Sequence, residues 1–142
     1  MAVAKDSRLR DPEGIKVLSE VPAPIDTTPA RFYGRTANDL DFGAIGSAGE
    51  EGERLSDSLG EKEVSVMGDH GGTIVGQTVV QAVENLYFFD KAMQTLILAR
   101  STGAALAVLS DAVAQNTADG WLAYRGMADR HFEFLKSQVT LP

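Results

Sequence analysis

The amino-acid sequence predicts an α/β fold with a tight strand–turn–strand unit followed by a long helix. Three observations carry that expectation. Two short segments rich in β-branched residues, "EVSVM" (63–67) and "TIV" (73–75), flank the glycine-rich turn "GDHGG", which reads as strand–turn–strand. Immediately downstream, Thr78 and Gln81 form a capping box that opens a long apolar stripe at helical spacing, through Val79, Val83, Leu86, Met93 and Ile97. At 142 residues, 44% of them hydrophobic, the chain is of a length and composition for one globular domain, 1–142.

Taken in order, the first stretch holds short apolar pieces interrupted by Pro12, Pro22, Pro24 and Pro29. "IKVLSEV" (15–21) is expected to be a strand ended by a proline. "PAPIDTTPARFYG" reads as irregular or extended chain, because each proline biases its predecessor away from the helical region. Ser47 and Glu50 make a further capping box, so a short helix is expected from about 48 to 59, with Gly60 at its C-terminal end. The strand–turn–strand unit follows. Its long helix is expected to run to about Ser101, where Gly103 stops it. A last helical region begins at Ser110, a good N-cap, and ends near Ser137, with Gly120 and Gly126 as candidate breaks.

Composition excludes several chemistries. With no cysteine there is no disulfide framework, thiolate nucleophile or cysteine-ligated metal. A formal net charge of −7, without a Lys/Arg block, argues against nucleic acid as a partner. No run approaches the ~18 apolar residues of a membrane span, and the start "MAVAKDSRLRDPEG" does not read as a signal peptide, so a soluble, cytoplasmic protein is expected.

The chain has two histidines, and His70 stands in the glycine turn. Taken alone, it reads either as a turn histidine bonded to backbone or as a metal ligand. Only Asp69 could join it locally, and no HxH, HExxH or ExxH spacing exists. His131, between Arg130 and Phe132, is expected to be a helix-surface or half-buried residue. "GDHGG" also lacks the Lys-Ser/Thr ending of a phosphate-binding P-loop, and no nucleophile-elbow motif appears.

Read together, the order of pieces resembles the class II aldolase/adducin family. Members have an apolar strand, Asn-His-Gly or His-His-Gly, a second strand ending in glycine, and a long helix with a recurring pattern. That pattern appears here as Thr78, Val79, Ala82, Leu86, Tyr87, Asp90, Ala92 and Gln94. "ARFYGRTANDLDFGAIGSAGEEGERLSDSLG" upstream and "LSDAVAQNTADGW" downstream are similar to the family as well, so the resemblance covers nearly the whole chain.

The resemblance implies a mostly antiparallel sheet flanked by helices. It implies a divalent metal, usually zinc, held by three histidines, the third falling at His70. It further implies lyase-type chemistry on a sugar phosphate or related hydroxy acid, and a homo-oligomer. The metal would act as a Lewis acid that stabilises negative charge developing on oxygen. The family's other two metal histidines form a His-x-His pair upstream of a helix and a "kDprl" segment. "MAVAKDSRLRDPEG" reads as the end of that helix and segment, so the expectation is an N-terminally truncated domain. Asp69 replaces the usual Asn or His, and Gly72 replaces an apolar residue. Three readings stay open: the C-terminal part of a metal-dependent lyase, a short non-catalytic product acting through protein contacts as adducin-type domains do, and a small α/β binding module.

Overall fold

The structure is a computed structural model that describes residues 2–6, 21–40, 48–68 and 71–139. Within them the elements are β1 (Ala2–Asp6), α1 (Thr27–Ala30), β2 (Thr36–Asp39), α2 (Ala48–Leu59), β3 (Val64–Met67), β4 (Gly71–Gly76), α3 (Val79–Ser101), α4 (Asp111–Ala123), a 3-10 turn (Arg125–Met127) and α5 (Ala128–Ser137). The strands form one sheet in the order β1-β4-β3-β2. β1 with β4 and β4 with β3 are antiparallel, while β2 joins the far side of β3 in parallel. The fold is therefore the expected α/β arrangement, a mostly antiparallel sheet flanked by helices.

Local chemistry explains most of the boundaries. The capping box of α3 forms as expected, with the Gln81 amide donating to Thr78 Oγ1 at 3.2 Å and the Gln77 amide to Gln81 Oε1 at 3.1 Å. Gly60 and Gly103 end α2 and α3 at φ +52° and +69°, conformations glycine reaches without the Cβ penalty. Two expectations are corrected. The proline-rich stretch is not wholly irregular: Asp26 Oδ1 accepts from the Thr28 amide at 2.6 Å and caps the short helix α1. Pro29 is tolerated there because first-turn amides need no intrahelical acceptor. Ala2–Asp6, read from the sequence as the end of a helix, is a strand, since pairing with β4 fills the outer ladder of that strand. The C-terminal helical region breaks at Tyr124 (ψ 69°), while Gly120 lies inside α4. The expected strand at 15–21 falls, except for the exposed Val21, outside the described residues.

The core lies where α3 crosses the sheet. Val64, Val66 and Ile74 face Phe89, Ala92, Met93 and Leu96, and Phe32 closes the cluster with its ring edge-on to Phe89 at 5.2 Å. At the end of β4 the backbone of α3 comes so close that a Cβ on Gly76 would lie 2.5 Å from the Ala82 amide nitrogen. Only glycine fits that crossing. No helix among the described residues is long and apolar enough to cross a membrane.

Candidate functional site

Because β2 and β3 run parallel, their carboxyl ends, Asp39 and Met67, lie side by side. The Gly68 amide donates to the Asp39 carbonyl at 2.8 Å, tying the two strand ends together as the chain leaves β3. It re-enters the sheet at Gly71, whose φ of +119° is open to glycine and to few other residues. Asp69 and His70 occupy the two positions between and lie outside the described residues.

The surroundings of that turn are charged and ordered by pairing. The Asp39 carboxyl is buried at the strand end, and its Oδ1 accepts from Arg54 Nη1 at 2.7 Å. Arg54 is in turn clamped by Glu51, with Nε to Oε2 at 3.0 Å and Nη2 to Oε1 at 2.8 Å. Glu51 first and Asp39 second hold the guanidinium well above the ordinary arginine range. Asp39 Oδ2 is buried without a hydrogen-bond donor among the described residues. No group of three His, Cys, Asp or Glu side chains that could hold a metal exists among the described residues. The described donors therefore do not by themselves fit a zinc site, which wants three or four nitrogen, sulfur or oxygen ligands.

A second polar cluster, not visible in the sequence, lies beyond the opposite end of β4. Glu84, on α3 and 4% exposed, lies 3.5 Å from Arg31 Nη1 and 2.6 Å from His131 Nδ1 of α5. His131 is half-buried, as expected, with its ring edge-on to Tyr87 at 4.6 Å. The Arg31 guanidinium sits over Phe88 and Trp121, 4.6 and 5.1 Å from their ring centres. Asn85 binds the Val75 carbonyl and Glu63, and Glu63 also pairs with Arg35. Neither Arg31 nor Glu84 carried a sequence signal. Arg31 follows a proline-rich stretch, and Glu84 interrupts an apolar helix much as a surface residue would.

With this geometry in hand, comparison with known proteins is decisive for the family. The family model "Class II Aldolase and Adducin N-terminal domain" matches residues 13–97, more than half of the chain. The chain belongs to the class II aldolase/adducin family. A crystal structure of an aldolase II superfamily protein from Pseudomonas syringae superposes with a TM-score of 0.79 at 26% identity, over 96% of this chain and 54% of that one. L-fuculose 1-phosphate aldolase from Glaciozyma antarctica PI12 shares the fold, with a TM-score of 0.63 at 20% identity over 76% of this chain and 39% of that one. This chain thus spans about half, or less, of the solved structures it matches. No curated protein sequence matches it.

Proposed function

We propose that this chain contributes His70 as one ligand of a divalent-metal site, zinc by family resemblance, in a cytoplasmic lyase acting on a sugar phosphate or related hydroxy acid. The observation that carries the reading is the family match, which runs through β3, β4 and the sequence positions between them that include His70. The sugar-phosphate enzyme among the fold neighbours supports the substrate class. When bound, such a metal would supply Lewis-acid stabilisation of an enediolate oxygen. The chain's own part is to hold His70 between two hydrogen-bonded strands. Asp69, next to it in sequence, would orient the imidazole at most.

A single imidazole holds zinc weakly against water, so the chain alone is expected to bind zinc weakly or not at all. Isothermal titration at neutral pH tests this. Stoichiometric submicromolar binding that disappears in His70→Ala would refute it and point to ligands assembled between subunits.

A second reading draws on a separate observation, the apolar side chains exposed on α3, α4 and α5. In it the chain is a non-catalytic family member acting through protein contacts, as adducin-type domains do. Both readings include self-association. Large apolar side chains stand exposed on α3, α4 and α5, among them Leu98, Val113 and Phe134. Apolar surface of that kind favours a homo-oligomer. Sedimentation equilibrium is expected to give a species heavier than 15.2 kDa, and a purely monomeric profile would count against self-association.

A further inference from the structure

A helix in a folded chain is held by the apolar face it buries and by the caps at its ends. α5 has little of either. Its inner face, His131, Phe132 and Leu135, is half-buried, and none of its side chains is fully buried, whereas α3 buries Phe89, Ala92, Met93 and Leu96. Met127, at its N-cap position, supplies no side-chain hydrogen bond. The chain reaches α5 through the break at Tyr124 and the 3-10 turn Arg125–Met127.

α5 packs against α3 and against that turn. A short polar contact joins the two helices: His131 Nδ1 stands 2.6 Å from Glu84 Oε2, a hydrogen bond when Nδ1 carries the proton. Glu84 is a fixed anchor, 4% exposed, with its other oxygen facing Arg31. The first turn of α5 also borders a cavity of about 260 Å³. Ala128 and Asp129 stand on that side, Trp121 and Tyr124 at the end of α4 on another, and Thr78 and Gln81 at the start of α3 on a third. Of these three helices, α5 is the one without a buried side chain.

We propose that α5 is a flap over this cavity, hinged at Tyr124–Met127 and latched by the His131–Glu84 contact. Local opening is drawn from elements with few buried apolar contacts, and it leaves the rest of the fold standing. The core cluster contains no residue of α5, so the sheet and α3 keep their packing when the flap lifts. In the open state Glu84 retains Arg31 as its partner, and Trp121 gains access to solvent through the widened cavity.

Native-state hydrogen exchange of the intact chain, read residue by residue at fixed pH, tests the proposal. The α5 amides from Phe132 to Ser137 are expected to exchange through one common opening, populated about 100-fold more than the one that exposes α3 between Phe89 and Leu96. His131→Ala is expected to populate the α5 opening about tenfold more, the worth of one hydrogen bond to a charged group. The α3 opening should rise by the same factor, because both open states have already lost the latch. His131→Gln, which keeps a donor for Glu84, is expected to raise them less. Phe89→Ala weakens closed and flap-open states alike, so it should raise the α3 opening and leave that of α5 where it was. Trp121, the only tryptophan in the chain, should be quenched by acrylamide more readily in His131→Ala. The wild-type pattern decides on the flap even where a variant misfolds. Exchange of α5 together with α3, or progressively from Ser137 without a common opening, overturns it. An α5 opening unmoved by His131→Ala overturns the latch, and unchanged quenching overturns the link to the cavity.

Discussion

Glu84→Ala is expected to destabilise the chain by about 3–5 kcal/mol, the usual cost of removing one partner from a buried ion pair. Glu84 is buried, and its two oxygens separately face Arg31 and His131. Alanine would leave the Arg31 charge buried with only aromatic faces for company. It would also release His131, whose Nδ1 contact with Glu84 joins α5 to α3. Urea denaturation followed by circular dichroism measures the loss. The double variant Glu84→Ala/Arg31→Met is expected to recover much of it, because it removes the stranded charge as well. If the double variant is no more stable than the single one, the charge is not what Glu84 compensates.

Phe89→Ala is expected to cost a similar ~3–5 kcal/mol by a different route, the loss of buried apolar surface plus the cavity left behind. Phe89 is 1% exposed at the centre of the core, edge-on to Phe32, with Gly72 of β4 beneath its ring at 3.9 Å from an added Cβ. Gly72 has no side chain that could relax into the void. Phe134→Ala provides the control. That ring is 60% exposed on α5, and surface substitutions of this kind cost within about 0.5 kcal/mol. Similar losses for the two variants would mean that the core is not centred on α3.

What was legible in the sequence is what local chemistry decides. The capping box at Thr78 and Gln81, the glycine ends at Gly60 and Gly103 and the β-branched runs of β3 and β4 each report on their own few residues. The helix α1 was missed because a single aspartate cap outweighed the extended bias of the neighbouring prolines. β1 was misread because so short a strand is defined by its partner, β4, some 70 positions away. The last helical region breaks at Tyr124 and the 3-10 turn that contains Gly126, one of the two expected glycines, while Gly120 is tolerated inside α4. The Arg31–Glu84–His131 cluster joins three elements far apart in the chain, so no window of sequence could contain it. The family resemblance, by contrast, lay in the order of pieces and was readable before any coordinates.

The role of His70 is tested most directly by metal content and turnover together. This chain would be joined behind the His-x-His-bearing half of a class II aldolase, so that three imidazoles are available. Metal per subunit is then measured after dialysis, and retro-aldol or decarboxylase activity is assayed on a panel of sugar phosphates and hydroxy acids. His70→Ala is expected to lose both, since removing one of three neutral nitrogen donors leaves the metal under-coordinated and unable to polarise substrate oxygens. Asp69→Asn is expected to cost about 10-fold in metal affinity at most, the lower end for residues that only orient a ligand. If the joined protein holds metal and turns over substrate while His70→Ala does both equally well, His70 is not a ligand.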